Sequence, residues 1–316
     1  MSTLYLDRRN LSLEAHAGTL VVRRDGAHLR TVPLKLIERV VARGRVQLDT
    51  GVLARLGEAG VGFLALTGRR TRFGAMLVGR PHGDVRLRLA QYRAYLDPEQ
   101  RRRWARAVVA GKVAGTRRTL ARLLRRRPDR RTALTRAIAR LDESLRRLRE
   151  EDALSVERLM GIEGAAAAAY FPAFASAFPA GLGFQGRNRR PPRDPVNAAL
   201  SLVYTLLHAE AVQAVYTAGF DPMLGFLHEP AHGRESGAAD LVEWFRGPAD
   251  LWVWGLFRKR VLRADAFRQD GDAVLLDKAG RQRFYALYER QALVWRRAMR
   301  RVARRAARQL RVEVEP

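Results

Sequence analysis

Four side chains able to bind a metal ion stand in different local settings of this chain. They are Glu163 in LMGIEG, His228 in GFLHE, and Asp240 and Glu243 in ADLVEWFR. Carboxylate and imidazole groups are ligands that suit Mg²⁺ or Mn²⁺. Because the chain has no cysteine, a metal site must use oxygen and nitrogen ligands. A hard cation in a protein with net charge +27 indicates phosphodiester chemistry.

The acid pair is the strongest part of this pattern. Asp240 and Glu243 are three residues apart in a segment predicted to be helical, so both carboxylates project from one face. Two like charges there repel unless a cation or water lies between them. A single histidine is more often structural than a ligand, and it is the nearby acid pair that favours His228 as a ligand.

Glu163 is predicted to lie on a closely packed helix. The helix begins near Ser155, a suitable N-cap, and contains Gly161, Gly164 and the alanine run 165–169. Small residues allow neighbouring backbones to approach closely. A glutamate buried in such a helix is costly without a partner, so it should reach solvent or meet a cation.

The charge balance predicts a polyanionic partner. The 316 residues include 59 basic and 32 acidic side chains, and nearly all the basic ones are arginine, which binds phosphate in a bidentate manner. Strong, salt-sensitive binding to nucleic acid follows from such an excess. An arginine-biased genome would explain the choice of arginine over lysine but not the deficit of acids.

The sequence predicts neither a membrane-spanning segment nor a signal peptide. The most apolar segment, residues 162–178, is interrupted by Glu163 and Pro172, and no apolar run is judged long enough to span a membrane. The N-terminal MSTLYLDRRN has no signal-peptide core. We therefore expect a cytoplasmic protein without a membrane partner.

Apolar periodicity predicts an α+β protein with an N-terminal β-rich domain and a larger all-helical catalytic domain. Short apolar runs separated by turn residues indicate strands up to about residue 78, with one helix near Thr50 to Ala59. Asp25-Gly26 predicts a type I′ hairpin. The predicted divisions are residues 1–78 for dimerisation, a linker over 79–85, and residues 86–316 for catalysis and DNA binding.

Helices are predicted over residues 86–127 and 130–150, separated at Pro128. Later, a loop rich in glycine, proline and arginine ends at Asp194 and Pro195, which start another helix that Gly219 closes. Clustered arginines in this loop predict phosphate contacts. They are Arg187, Arg189, Arg190 and Arg193.

A polar stripe along that helix has two interpretations. It either lines a functional site, which would make Asn197 and Tyr204 auxiliary residues, or it faces another helix or water. Its members are Asn197, Ser201, Tyr204 and His208.

Other catalytic motifs do not fit well. His228-Glu229-Pro230-Ala231-His232 spells the zincin pattern of metalloproteases, but a proline within it favours a loop over the helix that a zincin needs. Gly111-Lys112 is followed by Val113, without the serine or threonine of a phosphate-binding P-loop. We predict no cofactor other than a divalent metal.

Three segments carry a family resemblance that extends over nearly the whole chain: LMGIEGAAAAAYF, RRPPRDPVNAALSLVYTLL and GFDPMLGFLHEPAHGRESGAADLVEWFR. Together they resemble the CRISPR-associated integrase of the spacer-acquisition module. The resemblance implies that Glu163, His228 and Asp240 hold the divalent ion and that Glu243 is an auxiliary acid. Trp244 departs from the pattern, because many relatives have a second acid there.

The resemblance also implies substrates and partners. Double-stranded DNA fragments would be inserted into CRISPR repeat DNA by transesterification from a 3′-hydroxyl, without ATP. A homodimer would form through the β domains, and two dimers would assemble around a small ferredoxin-like partner of the Cas-two family. A DNA-binding scaffold with degenerate acids and a transposon-encoded integrase of related fold are the alternatives.

Overall fold

The computed structural model describes residues 2–67, 72–77, 84–188 and 191–312. Its strands are β1 (Ser2–Leu6), β2 (Leu11–His16), β3 (Thr19–Arg24), β4 (Ala27–Pro33), β5 (Ile37–Arg43), β6 (Val46–Gln47), β7 (Gly62–Thr67), β8 (Arg72–Leu77), β9 (Phe267–Asp270) and β10 (Ala273–Leu276). Its α-helices are α1 (Thr50–Glu58), α2 (Val85–Leu96), α3 (Pro98–Leu124), α4 (Arg131–Glu150), α5 (Val156–Ser176), α6 (Pro195–Thr217), α7 (Ser236–Arg258) and α8 (Lys278–Val312).

The N-terminal part forms two four-stranded sheets, ordered β4-β3-β2-β6 and β1-β5-β7-β8. Strands β3 and β4 are joined by the predicted hairpin, with positive φ of 51° at Asp25 and 79° at Gly26, as a type I′ turn requires. Helix α1 begins after Asp49, whose side chain accepts a hydrogen bond from the Val52 amide. The fold class predicted from the sequence is confirmed.

Two features of the second part differ from the prediction. The expected helix over 86–127 is two helices, because Asp97 caps α3 and Pro98 occupies its first turn. The helical part also contains the antiparallel hairpin β9–β10, whose two-residue loop has Gly271 at a φ of 59°. Five of the seven predicted linker positions, residues 79–83, lie outside the described residues.

The cap predictions hold. Ser155 accepts a hydrogen bond from the Arg158 amide and starts α5, and Asp194 accepts one from the Asn197 amide and starts α6. By length and composition α6 could span a membrane, contrary to the sequence expectation, but 78% of its most apolar window is buried inside the protein. Helix α6 therefore has the burial of a core helix.

Apolar side chains form two clusters. The smaller one lies among the N-terminal strands and α1, and the larger one joins the helices to Val41, Leu64 and Leu66 of the β1-β5-β7-β8 sheet. The two parts of the chain thus share a core. How they divide dimerisation and catalysis remains a prediction.

Candidate active site

The site is built where α3 crosses α7. A Cβ atom added at Gly247 would lie 2.6 Å from the backbone of Gly115, and one added at Gly111 would lie 2.5 Å from the ring of Trp244. The Thr119 hydroxyl also donates a 2.7 Å hydrogen bond to the Gly247 carbonyl oxygen. This close crossing brings the residues next to Gly111 and Trp244 face to face.

The glycines of α5 do not serve this purpose. Apart from the neighbouring backbone of α5 itself, no atom of the described residues lies within 4 Å of a Cβ added at Gly161 or Gly164, so the close packing expected there from the sequence is not observed. The close approach uses glycines of α3 and α7 instead.

Gly247→Ala is expected to lower the free energy of unfolding by about 1–3 kcal/mol, because the new methyl group meets backbone rather than a mobile side chain. Gly164→Ala, on an exposed position of α5, should instead be neutral or stabilising by up to about 1 kcal/mol, since alanine favours helix. Urea unfolding of both variants measures the difference. Equal effects would show that the α3–α7 crossing tolerates expansion.

Glu163 and Glu243 share one cation, the ammonium group of Lys112. The Lys112 Nζ atom forms an ion pair with Glu163 and lies 2.5 Å from Oε2 of Glu243. Helix α3 supplies the lysine, α5 supplies Glu163 and α7 supplies Glu243. Side-chain exposure is 14% for Lys112, 26% for Glu163 and 3% for Glu243. Lys112 therefore links a partly exposed carboxylate, that of Glu163, to a buried one, that of Glu243.

Glu243 is held ionised by its neighbours. Burial raises the pKa of this carboxyl, but Arg246, Lys112 and His228 together lower it to about 2. Oε1 accepts a 2.8 Å hydrogen bond from Nε of Arg246, whereas Oε2 has no hydrogen-bond partner of good geometry among the described residues. Oε2 is therefore a buried anionic atom that faces the Lys112 ammonium group.

Asp240 has a different environment from Glu243. One of its oxygens accepts hydrogen bonds from the backbone amides of Phe226 (2.7 Å) and Leu227 (3.0 Å). The other accepts from the His228 amide (3.2 Å) and pairs with Nδ1 of the same residue (2.7 Å). Both carboxylate oxygens are thus engaged in holding the loop and the imidazole, which leaves Nε2 as the ring nitrogen through which His228 can bind a ligand.

The loop that holds His228 is tightly packed on the start of α7. A Cβ added at Gly225 would lie 2.7 Å from the Ser236 carbonyl oxygen, and one at Gly237 would lie 2.6 Å from that of Leu224. The segment from His228 to His232 is not helical, and Ala231 bridges Arg234 in a tight turn. The one-turn helical spacing that a zincin needs is therefore absent from this segment, which the structure describes in full.

An open cleft with an empty volume of about 490 Å³ extends from the Lys112 ion pair. Its walls include three basic side chains, those of Lys112, Arg187 and Arg246, together with Glu163. The guanidinium carbons of Arg246 and Arg187 lie 4.6 Å and 5.4 Å from the centre of the Tyr204 ring. Basic side chains in the walls, next to the carboxylates of Glu163 and Glu243, suit the binding of a phosphodiester backbone.

Asp250, a buried acid that the sequence analysis missed, also lines the cleft. Asp250 accepts hydrogen bonds from the hydroxyls of Tyr204 and Tyr170, the latter at 2.8 Å. Burial raises the pKa of Asp250 to about 6, against the effect of those hydrogen bonds and of Arg246. The available signal was its spacing of seven residues from Glu243, which places both acids on one face of α7.

The auxiliary and DNA-binding residues are only partly brought together. Tyr204 lines the cleft, whereas Asn197 is fully buried and ties the preceding loop to α6 by accepting from Arg187 (2.8 Å) and the Asn188 amide (3.0 Å). Arg187 lies at the cleft and Arg193 is exposed. Arg189 and Arg190 lie outside the described residues.

Among the residues that the structure describes, no three acidic or histidine side chains converge as a ready-made metal site. The carboxylates of Glu163 and Glu243 are separated by the Lys112 ammonium, and His228 is near enough to act on the pKa of Glu243. Two carboxylates around a position that already attracts a cation, with an imidazole near one of them, are groups that suit a hard divalent ion.

Fold and cleft together define a protein suited to handling phosphodiesters. A family model described as CRISPR associated protein Cas1 matches residues 4–290. A CRISPR-associated endonuclease Cas1 from Thermodesulfovibrio yellowstonii is 36% identical over 311 residues, covering 96% of this chain and 97% of the relative. The chain belongs to the Cas1 family, which confirms the resemblance seen in its sequence.

Solved structures agree on the fold. A casposase bound to integration product has a TM-score of 0.85 at 22% identity, covering all of this chain and 92% of the casposase. A CAS1 protein from Thermotoga maritima has a TM-score of 0.82 at 23% identity, covering 98% of this chain and 96% of that one.

Proposed function

We propose that this chain is a divalent-metal-dependent DNA integrase and endonuclease of CRISPR adaptation, which inserts DNA fragments into a CRISPR repeat. Membership of the Cas1 family supports this, as does the fold shared with a casposase bound to integration product. The observation that carries the proposal is that the carboxylates of Glu163 and Glu243 meet at one cation position, with His228 near Glu243 and basic side chains in the cleft walls.

The proposed ligands of Mg²⁺ or Mn²⁺ are Glu163, His228 through Nε2, and Glu243 through Oε2. Asp240 becomes a positioning residue, because its two oxygens already accept hydrogen bonds from the loop and from His228. This differs from the set implied by the family resemblance, in which Asp240 was the third ligand and Glu243 the auxiliary acid. When bound, the ion would supply Lewis-acid stabilisation of negative charge on a phosphate.

The chain's own residues then bind and orient DNA. Arg187 and Arg246 are held against Tyr204, so their guanidinium groups are positioned before a phosphate arrives. We propose that Arg189, Arg190 and Arg193 extend this contact along the DNA backbone. The Val274 amide donates a 2.7 Å hydrogen bond to the Pro192 carbonyl oxygen, so hairpin β9–β10 supports the loop at the residue next to Arg193.

The joining reaction exchanges one phosphodiester for another. The fragment's 3′-hydroxyl attacks a repeat phosphate, a new P–O bond forms as the repeat's own bond breaks, and the repeat strand leaves with a 3′-hydroxyl. The number of phosphodiesters is unchanged, so ATP is not needed.

The proposed assembly is a homodimer that joins a Cas2 partner. A structure titled as a complex of Cas6-RT-Cas1 with Cas2 contains a chain with a TM-score of 0.82 to this one at 21% identity. At this identity the likeness concerns the fold alone. The Cas2 partner and the dimer are therefore part of our proposal. Two active sites held at a set distance would explain insertion of both ends of a fragment.

The purified chain with Mn²⁺ or Mg²⁺ should join a fluorescent DNA end bearing a 3′-hydroxyl to a plasmid containing a CRISPR repeat. A 3′-deoxy end and added EDTA should each prevent joining, because one removes the nucleophile and the other the ion. Glu163→Gln should do the same while retaining DNA binding in an electrophoretic shift assay.

The scaffold alternative predicts a different result from the same assay. It requires DNA binding without joining in the wild type, and no change on replacing Glu163. A repeat-containing plasmid that gains no label under any metal condition would favour this alternative.

A further inference from the structure

Lys112 stands out chemically in this chain. Almost all of its basic residues are arginine, yet lysine occupies the point where α3, α5 and α7 meet. A guanidinium is broad and planar, whereas an ammonium is a compact charge with three donors. A compact ammonium is the closer match in size and shape to a single metal ion placed between two carboxylates.

The contacts of Lys112 agree with this comparison. Its single nitrogen meets Glu163 on one side and Oε2 of Glu243 on the other. Glu243 already has a second cation, since Nε of Arg246 donates to Oε1. The ammonium therefore faces the two oxygens that the proposed function assigns to the divalent ion.

We propose that Lys112 is a displaceable counterion, whose ammonium neutralises Glu163 and Glu243 until a divalent ion takes its place. This inference rests on the proposed metal site. Two cations cannot occupy one position, because like charges at contact distance repel strongly in a partly buried site. Ion binding is thus coupled to release of the lysine, which is tethered to α3 and stays in the wall of the cleft.

The proposed exchange gives Lys112 two measurable effects. Lys112 weakens metal binding, because the divalent ion must compete with its tethered ammonium group. It also stabilises the chain in the absence of metal, because without it the buried Glu243 and the nearby Glu163 repel each other. Lys112 is therefore a positioning residue, acting through the two acids.

The test measures Mn²⁺ affinity of the full chain by electron paramagnetic resonance, together with the melting temperature with and without Mn²⁺. Lys112→Met should bind Mn²⁺ about tenfold more tightly or better, as expected when a competing charge is removed. Its melting temperature should fall without metal and recover with saturating Mn²⁺, giving a larger metal-induced rise than in the wild type.

Arg117→Met is the matched control, since it removes one charge from the same helix. Arg117 pairs with Asp142 at 2.6 Å on the exposed side of α3. It should leave both the Mn²⁺ affinity and the metal-induced rise unchanged. Lys112→Gln provides a second neutral variant if the methionine variant folds poorly, and it should also bind Mn²⁺ more tightly.

The results separate this inference from the proposed function. Wild-type binding of Mn²⁺ that is lost in Glu163→Gln, with unchanged or weaker binding in the neutral Lys112 variants, would overturn the counterion role alone. Wild type and neutral Lys112 variants that all fail to bind Mn²⁺ would overturn both.

Discussion

Replacing Glu243 by glutamine is expected to reduce metal-dependent joining by more than about 100-fold, beyond the loss of about 10–100-fold that is typical when a residue orienting a ligand is replaced. The amide keeps the shape of the side chain but removes the charge that Oε2 presents to the cation position. Mn²⁺ affinity should fall with joining, whereas DNA binding should persist, because Arg187 and Arg246 remain at the cleft.

Asp240→Asn is the informative comparison. Asparagine retains one acceptor oxygen but cannot accept all four hydrogen bonds from the 226–228 backbone and the His228 ring. We expect joining and Mn²⁺ affinity to fall by about 10–100-fold, through a misplaced imidazole. Metal binding that survives Glu243→Gln but disappears in Asp240→Asn would restore Asp240 as the third ligand.

A carboxylate away from the cleft supplies the control for both variants. Glu235 pairs with His208 at 3.1 Å in a part-buried position. Glu235→Gln removes one negative charge from the same region of the chain, just before α7. It should leave joining and Mn²⁺ affinity within about threefold of the wild type, since its side-chain partner among the described residues is His208, which is not a proposed ligand.

Glu210→Gln is expected to lower the free energy of unfolding by about 3–5 kcal/mol, the usual cost of removing one member of a buried ion pair. Oε2 of Glu210 lies 3.0 Å from Arg39 of β5 and 2.8 Å from Arg296 of α8. All three side chains are 3% exposed, so both arginines would lose a partner without gaining water. Guanidinium chloride unfolding measures the change.

Glu143→Gln is its surface counterpart. Glu143 pairs with Arg146 at 2.6 Å, with both side chains about half exposed, so its loss should cost less than about 1 kcal/mol. Similar values for the two variants would show that the Glu210 network carries little stability.

The Glu210 network also affects any test of the two predicted domains. Arg39 belongs to the β-rich part, whereas Glu210 and Arg296 belong to the helical part. A chain lacking residues 1–78 would leave Glu210 without Arg39, and Arg296 without the Thr3 hydroxyl to which it donates at 2.7 Å. We therefore expect the truncated chain to be destabilised, so the oligomeric state should be measured on the full chain.

Local signals in the sequence determined much of the architecture. The Asp25-Gly26 hairpin and the caps at Ser155 and Asp194 were predicted correctly, because a turn or cap depends on a few neighbouring residues. Asp97-Pro98 carried an equally local cap signal, and only the longer apolar periodicity around it concealed the break.

Some residues of the candidate site could be identified from the sequence for a similar reason. Residue type and spacing singled out Glu163, His228 and the acids of α7, since carboxylates three residues apart share a helical face wherever the helix lies. The sequence could not assign roles to the two acids. That choice depends on which acid meets the 226–228 amides and which meets Lys112.

Only the tertiary structure decided the partners across helices. Lys112 lies 51 residues from Glu163 in sequence, and Tyr170 lies 80 residues from Asp250, yet each pair is in contact. The contact of Lys112 with Glu243 likewise depends on the crossing at Gly111 and Gly247, where the absence of a side chain sets how closely α3 and α7 approach. The physical reason is that periodicity specifies which face of a helix is buried, whereas the packed side chains of other helices determine what that face meets.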